Sequence, residues 1–272
     1  MSDAPILLGR DTDYPQRYSP EVLFPITRHE GREALGLAGG PLPFHGVDLW
    51  THYEVSWLDF GGKPRVAIAE IRVPASSPCL IESKSMKLYF NSLNFERFGS
   101  AADFLTVVMR DLSGAAGAPV DVELLRHDAG ADSFAAMPGE CLDELPVECS
   151  EFQVNPALLQ ADDRRVVSET LHSHLLRSCC PVTHQPDWAS LMIAYQGPVL
   201  DRKGLLAYLV SYRNQSDFHE QCVERIFMDI RNRCGPTQLT VYARYTRRGG
   251  LDINPWRSTE MAVPPRLRQA RQ

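Results

Sequence analysis

Two stretches in the first half of the chain have hydrophobic patterns that predict β-strands. Tyr53, Val55 and Trp57 alternate mostly with polar neighbours, and Val66 to Val73 forms a second extended, β-branched run. Phe60-Gly61-Gly62-Lys63-Pro64 lies between them and supplies turn residues. The pattern predicts an antiparallel hairpin.

Apolar residues at helical spacing follow the hairpin. They recur every three or four positions: Ala101, Phe104, Leu105, Val108, Met109 and Leu112. Ser100 is a favoured N-cap, and Asp103 suits the first turn. Val120 to His127 then has a strand pattern. We expect Asp128 to Arg165, with its scattered acids and prolines, to be the interdomain connection.

The second half repeats this order. The predicted elements are strands at 167–176 and 188–195 around a break at 178–187, a helix that starts near Ser216 or Asp217 and is stopped by Gly235-Pro236, and a closing strand at 239–244. Residues 82–92 also lie over 201–211 at a constant offset of 119, sharing the order acid, x, Lys, small, apolar, x, x, Tyr, x, x, Ser. We therefore predict two tandem ββα-type modules, at 1–150 and 151–272.

Composition and charge narrow the function classes. The 272 residues include 28 Lys and Arg against 34 Asp and Glu, a net charge of −6, which disfavours a broad electrostatic grip on nucleic acid. No apolar run approaches the ~20 residues of a membrane span. Met1 to Arg10 lacks the cationic region of a secretory signal. We expect a cytoplasmic protein with a small-molecule partner.

Metal and nucleotide motifs are absent from the sequence. The seven cysteines form no Cys-x-x-Cys pair. His172 and His174 face one side of a predicted strand without a spaced third ligand, so we expect them to be structural and expect no metal. No glycine-rich dinucleotide fingerprint or P-loop is present, so a nucleotide would need another kind of fold.

Three segments could carry chemistry, and each has a structural alternative. Cys180 lies in the break between two strands, where it could act as a nucleophile with Asp187 as proton donor. On spacing alone, a buried structural cysteine is favoured. Glu220 and Glu82 could accept hydrogen bonds from a guanine-like edge. Their alternatives are an acid that complements a helix dipole and a surface residue beside a hairpin.

Basic residues could bind phosphates, or could be solvated surface charges. They are Lys84, Lys87, Arg247, Arg248 and Arg257. The three arginines flank Gly249-Gly250, where a backbone without side chains can approach a ligand closely.

Four motifs, in this order, carry a family resemblance. They are Glu82-Ser83-Lys84-Ser85-Met86-Lys87-Leu88-Tyr89, the segment from Ser178-Cys179-Cys180-Pro181 to Gln185-Pro186-Asp187-Trp188, Phe218-His219-Glu220, and Arg247-Arg248-Gly249-Gly250-Leu251-Asp252-Ile253-Asn254-Pro255. Together they resemble the long, two-module form of the NADPH-dependent 7-cyano-7-deazaguanine reductase (QueF) family, over nearly the whole chain. The resemblance implies the tunnelling fold (T-fold), an α+β fold of antiparallel sheets backed by helices.

The resemblance also implies an activity and the residues that carry it. Cys180 resembles the nucleophile that forms a covalent thioimidate with the nitrile, and Asp187 resembles the proton donor. Hydride from NADPH then gives an imine, and a second NADPH reduces it to the aminomethyl product used in tRNA queuosine biosynthesis.

Binding residues and partners follow from the same resemblance. The positions that match substrate contacts are Ile81, Glu82, Ser83, His219 and Glu220, and those that match NADPH contacts are Ser83, Lys84, Arg248 and Gly249. His219 can also assist proton movement near the imine. Because the two copies keep different polar groups, we predict one composite substrate site. We expect a homodimer without a direct nucleic-acid or membrane partner.

Two other function classes stay open at this point. A cysteine hydrolase of nitriles or amides would form the same kind of adduct and release it with water. A purine- or pterin-binding T-fold protein without redox activity would keep Glu220 and would not need Cys180.

Overall fold

The computed structural model describes residues 14–37, 39–125 and 134–272. The expectation for Met1 to Arg10 lies outside these residues, as does the end of the strand predicted at Val120 to His127. Within the described residues, no helix is both long and apolar enough to cross a membrane.

The described residues form a mixed α+β structure. Its strands are β1 (Pro25–Thr27), β2 (His45–Leu58), β3 (Pro64–Pro74), β4 (Cys79–Ile81), β5 (Asp121–Leu125), β6 (Glu140–Cys141), β7 (Ala161–Cys179), β8 (Pro186–Leu200), β9 (Gln238–Tyr245) and β10 (Leu251–Ser258). Its α-helices are α1 (His29–Glu33), α2 (Ser83–Ser92), α3 (Ala101–Ala116), α4 (Arg202–Ser211) and α5 (His219–Cys234). Short 3-10 turns occur at Pro20–Val22, Pro156–Leu158 and Tyr212–Asn214.

The chain divides into two compact units, each built from separate segments. Among the described residues, the first unit comprises 14–31, 49–125 and 247–252, and the second comprises 32–48, 134–246 and 253–272. The division into modules at 1–150 and 151–272 stays a prediction.

The first unit contains the predicted hairpin and helix. β2 and β3 are hydrogen-bonded neighbours, and the turn between them closes with Asp59 N donating to Lys63 O at 3.0 Å. β3 pairs antiparallel with β5. The Ser100 side chain caps α3 by accepting from Asp103 N at 3.1 Å, as predicted.

The second unit is built on long antiparallel strands. β8 pairs with β7 on one side and β9 on the other, and β9 pairs with β10. β6 adds a short parallel pair with β7. β7 begins at Ala161, so the prediction that 128–165 only connects domains is wrong at its end. The strand is exposed and polar there, and its register shifts between Asp162 and Val166, so its residues do not alternate regularly between apolar and polar.

The two duplicated segments are capped α-helices. The Glu82 carboxylate accepts from Lys84 N and Ser85 N at the start of α2. The Asp201 carboxylate accepts from Lys203 N and Gly204 N at the start of α4. The acid of the shared pattern is therefore an N-cap in both copies.

The tyrosine and serine of the shared pattern also repeat their contacts. Each tyrosine hydroxyl donates to an aspartate of the following long helix at 2.7 Å, Tyr89 to Asp111 and Tyr208 to Asp229. Ser92 and Ser211 each donate to the carbonyl of the tyrosine three residues earlier at 2.6 Å. The two copies of the sequence repeat thus form the same set of hydrogen bonds.

Candidate active site

Cys180 lies at the end of the hairpin formed by β7 and β8. The final pair of the ladder is Cys179 with Pro186, and Cys180 follows it directly. Its amide donates to Gln185 O at 2.9 Å, and its carbonyl accepts from His184 N at 3.0 Å. His184 has a φ of 56°, a conformation that residues other than glycine seldom adopt. Cys180 is thus held at the start of a tight turn and is buried, with 3% of the residue exposed.

Asp187 and His219 are in contact beside this hairpin end. Asp187 pairs with Ser178 across the ladder, two residues before Cys180. Its Oδ2 lies 3.3 Å from His219 Nε2, and Asp187 is only 7% exposed. A carboxylate and an imidazole at this separation can share one proton.

The His219 ring is fixed in place by Tyr245 of β9. The two rings stack with centroids 3.7 Å apart and planes 3° apart. His219 Nδ1 is buried and has no hydrogen-bond partner among the described residues. An unsatisfied buried polar atom costs about 1–3 kcal/mol, so a ligand that reaches Nδ1 would gain from pairing with it.

The start of α5 runs beside the end of β7. Cys179 N donates to Gln215 O at 2.8 Å, which fixes the segment that enters the helix. Phe218 is the N-cap, and its amide donates to the Gln221 side chain at 3.1 Å. His219 and Glu220 therefore occupy the first turn, where the helix dipole favours negative charge. Glu220 is buried, with 3% of the residue exposed.

Two buried thiols of the second unit, Cys222 and Cys234, lie in surroundings that suppress ionisation. Burial raises the pKa of Cys222 well above its usual range, and it raises the pKa of Cys234 to about 11. A thiol with a raised pKa is a poor nucleophile at neutral pH because the thiolate is the reactive form. Both lie in the body of α5 rather than at the hairpin end.

In the first unit, Glu82 lies between β4 and α2. Its Oε1 accepts from Lys84 N at 2.9 Å and its Oε2 from Ser85 N at 2.7 Å, and only 1% of the residue is exposed. The alternative of an exposed hairpin residue is therefore wrong. Burial raises the pKa of this carboxyl, while the two amides and the charges of Lys84 and Arg248 oppose the rise.

Gly249 and Gly250, where the sequence predicts that a ligand can approach the backbone closely, form a turn. Arg248 N donates to Leu251 O at 2.8 Å across it, and both glycines have positive φ, 63° and 80°. A Cβ on Gly249 would lie 3.2 Å from Lys87 Nζ, and one on Gly250 would overlap the Glu54 carboxylate. Glycine is favoured at both positions because other residues rarely adopt a positive φ.

Basic side chains surround this turn. Lys87 Nζ lies 3.5 Å from Glu54 Oε2, and the Arg247 guanidinium lies 5.0 Å from the centre of the Tyr53 ring. Arg248 and Gly249 are exposed and Lys84 is half-buried, so a ligand can reach them from solvent. Exposed cations beside a glycine turn suit a phosphate group.

Comparison with known proteins decides the family. Residues 14–124 match the family described as nitrile reductase, 7-cyano-7-deazaguanine-reductase N-term, and residues 186–263 match one described as QueF-like protein. A protein from Bordetella avium named NADPH-dependent 7-cyano-7-deazaguanine reductase is 53% identical over all of this chain and 99% of its own length. The chain belongs to the 7-cyano-7-deazaguanine reductase family.

Other members of the reductase family are equally similar. Proteins with the same name from Dechloromonas aromatica and Chromobacterium violaceum are 54% and 52% identical, each over 97% of this chain and 94% and 96% of their own lengths. These names do not favour a hydrolase or a binding protein without redox activity. A solved structure, the archaeosine synthase QueF-Like in the apo form, covers 36% of this chain and 96% of its own at 18% identity and a TM-score of 0.31, which supports no conclusion.

The residues expected from the reductase family fall into two groups, one in each compact unit. Ile81, Glu82, Ser83 and Lys84 lie at the start of α2, and Arg248 and Gly249 lie in the glycine turn of the same unit. Cys180, Asp187, His219 and Glu220 belong to the second unit. Their roles in binding and catalysis stay predictions.

Arg257 is neither a phosphate ligand nor a solvated surface charge, so both alternatives are wrong for this residue. It is fully buried, with its guanidinium 2.8 Å from Asp48 Oδ1 and 2.8 Å from Glu224 Oε1. The two acids hold the Arg257 pKa above its usual range, and the pairing uses the donors a phosphate would need.

Two aromatic contacts near the second group were not predicted from the sequence. Tyr245 stacks on His219, and the guanidinium groups of Arg177 and Arg213 lie 5.8 and 5.5 Å from the centre of the Trp188 ring. Tyr245 lies just beyond the predicted closing strand and is the last residue of β9. Its partner could not be anticipated, because α5 and β9 meet only in the folded chain.

Proposed function

We propose that this chain reduces the nitrile of 7-cyano-7-deazaguanine to the aminomethyl group of 7-aminomethyl-7-deazaguanine, with NADPH as reductant, in tRNA queuosine biosynthesis. The observation that carries the proposal is the contact of 3.3 Å between His219 and Asp187, beside the hairpin end that holds Cys180. A nucleophile and a pair able to move a proton are the groups that addition to a nitrile needs.

The first step is addition of the Cys180 thiolate to the nitrile carbon. A C–S bond forms, the C≡N triple bond becomes a double bond, and the nitrogen takes a proton to give a thioimidate. Asp187 is the donor of that proton in this proposal, and His219 Nε2 can return one to it across their contact.

Reduction requires two hydrides and one further proton. The first hydride adds to the thioimidate carbon, the C–S bond breaks, and the Cys180 thiolate leaves an imine. The second hydride adds to the imine carbon while its nitrogen takes the proton, so the product is a primary amine and Cys180 is regenerated. In this proposal His219, which stacks on Tyr245, supplies this proton.

NADPH supplies both hydrides when it is bound. The residues of the first unit fit its phosphates, because the glycine turn exposes backbone beside Arg248 and the half-buried Lys84 lies near the same carboxylate as Arg248. In this proposal Ser83, Lys84, Arg248 and Gly249 hold the cofactor. Their charges and donors orient it, and they take no part in bond breaking.

Substrate recognition uses carboxylates and one apolar contact. A deazaguanine edge presents several N–H donors, and an ionised carboxylate only accepts hydrogen bonds. We assign this role to Glu82 and Glu220, with contacts from Ile81, Ser83 and His219. That one substrate touches residues of both groups stays a prediction.

We also propose the T-fold for this chain, a cytoplasmic location and a homodimeric state. The α+β composition and the antiparallel pairs in both units are compatible with the fold. Light scattering on the purified chain tests the dimer, which a mass equal to one chain would contradict. Direct binding of nucleic acid is not expected from the net charge of −6.

Trapping the covalent adduct tests the proposed chemistry directly. The intact wild-type chain incubated with 7-cyano-7-deazaguanine alone should gain the mass of one nitrile, and NADPH added afterwards should remove it. Cys180→Ala should form no adduct, whereas Cys179→Ala, the matched neighbouring thiol, should form it as the wild type does. An adduct on Cys180→Ala that disappears in Cys179→Ala would move the nucleophile to Cys179. No adduct on any of the three chains would contradict the covalent mechanism.

A further inference from the structure

Three potential metal ligands meet in the second unit. One donor atom from each of Cys141, His172 and His174 lies within 4.8 Å of the others, and no other three His, Cys, Asp or Glu side chains of the described residues form such a group. The sequence reading expected no metal because it found only the two histidines. The third ligand comes from a different strand.

Strand pairing brings the cysteine to the histidines. β6 pairs parallel with β7 so that Cys141 lies opposite His172. His174 is two residues further along β7, and side chains two apart in a strand point to the same face. Leu142 N donates to His172 O at 2.9 Å, which also holds this segment against β7.

The segment that carries Cys141 is anchored on both sides. Before it, Gly139 has a φ of 86°, and a Cβ there would overlap the carbonyl of Thr170 on β7. After it, the Asp143 carboxylate accepts from His174 N at 3.1 Å and from Ser173 Oγ at 2.7 Å. The thiol is therefore held beside the two rings without help from an ion.

Both imidazoles are oriented by hydrogen bonds at Nδ1. His172 Nδ1 lies 3.1 Å from Pro138 O, which can only accept, so this nitrogen carries the proton and Nε2 keeps its lone pair. His174 Nδ1 lies 2.7 Å from Ser190 Oγ. Histidines that bind metals in proteins are held in this way, with one nitrogen on the ion and the other on a neighbouring polar group.

We infer that Cys141, His172 and His174 form a binding site for a zinc-class divalent cation, with a fourth position open. One thiolate and two imidazoles suit zinc or cobalt, whereas magnesium and calcium prefer oxygen ligands. Cys141 is exposed, so an ion can enter from solvent and the thiol proton can leave. The site shares no residue with the proposed nitrile chemistry.

Cobalt titration of the full-length, metal-stripped chain tests this site. Co²⁺ bound by a thiolate gives a sulfur-to-metal charge-transfer band, and tetrahedral Co²⁺ gives strong visible bands, so both ligand type and geometry can be read. We expect one Co²⁺ per chain, displaced by Zn²⁺ and not by Mg²⁺. Cys141→Ala should lose the charge-transfer band, and Cys149→Ala, a half-buried cysteine outside the cluster, should keep it.

The affinities give a second readout. Ser190→Ala removes only the hydrogen bond to His174 and should weaken Co²⁺ binding about 10- to 100-fold, the usual cost of such a change. Cys141→Ala and His174→Gln remove ligands and should weaken binding by more than this. Unchanged circular dichroism would show that the variants fold. Absence of the band in the wild type, or its persistence in folded Cys141→Ala, would overturn the site.

Discussion

Glu82 has two assignments that a matched pair of substitutions can separate from each other. It caps α2 with both carboxylate oxygens, and it is also a proposed substrate contact. Glu82→Ala removes both functions. Asp201→Ala makes the equivalent change at the start of α4, in a residue that is exposed and has no proposed contact with substrate. Asp201 is therefore the matched control.

The expected stability costs differ because only one of these caps is buried. Loss of an exposed N-cap costs about 1 kcal/mol, since water replaces the side chain. Loss of the Glu82 cap also strands the buried Ser85 amide, which adds about 1–3 kcal/mol. Relief of the cost of burying the carboxylate offsets part of this. We expect Glu82→Ala to lose about 2 kcal/mol or more of unfolding free energy, against about 1 for Asp201→Ala.

Urea unfolding of the full chain measures both costs, and calorimetry with 7-cyano-7-deazaguanine measures binding. Only Glu82→Ala should weaken nitrile binding. Equal losses of stability in the two variants would refute the argument from burial. Unchanged nitrile affinity in a folded Glu82→Ala chain would remove Glu82 from substrate recognition and leave it as a cap alone.

A pH series with Glu82→Gln tests the raised pKa of this carboxyl. The folded state holds the pKa above its ordinary value, so the native chain binds the proton more tightly than the unfolded chain does. Relative to Glu82→Gln, the wild type should be most stable below the ordinary glutamate pKa and should lose that advantage as pH rises through the folded value. A difference that does not change with pH would contradict the assignment.

Three further predictions concern the proton donor, the cofactor and a buried histidine. Asp187→Asn should lower the rate of nitrile reduction by about 10²- to 10⁴-fold, measured as nitrile-dependent NADPH oxidation, whereas a chelator should leave the wild-type rate unchanged. An unimpaired Asp187→Asn enzyme would exclude the donor role. Lys84→Ala and Arg248→Ala should each raise the KM for NADPH. Lys203→Ala, at the equivalent place in α4, should not raise it. Equal effects in all three variants would show that the net charge of the protein, and not contact with the cofactor, sets the KM. Burial lowers the pKa of His52 to about 4. Between pH 6.5 and 4 the wild type should therefore lose about 3 kcal/mol of unfolding free energy relative to His52→Gln. Parallel pH profiles of the two chains would refute this.

Local signals explain which elements could be predicted from sequence. The bounds of α3 and α5 depend on residues within one turn of each end, such as Ser100 as N-cap and Gly235 as C-cap. The repeated acid and serine positions also reflect contacts within one helix. Such patterns are visible along the chain because the interacting residues are close in sequence.

Features set by distant contacts could not be predicted in the same way. Arg257 has the sequence context of a surface cation, and only the folded chain shows that Asp48 and Glu224 bury it. Cys141 lies beside His172 because β6 and β7 pair in parallel, and such a contact produces no characteristic spacing of metal ligands in the sequence. For the proposed active site, family resemblance supplied the choice of Cys180, and spacing alone favoured a structural cysteine there.

The stoichiometry of NADPH oxidation tests the proposed reaction most directly. Conversion of a nitrile to a primary amine takes up two hydrides, so limiting 7-cyano-7-deazaguanine should consume two equivalents of NADPH and yield one equivalent of the aminomethyl product. The same assay with Cys180→Ala should show no consumption above background. Loss of the nitrile without oxidation of NADPH, with an amide or carboxylic acid as product, would contradict the account and identify a hydrolase.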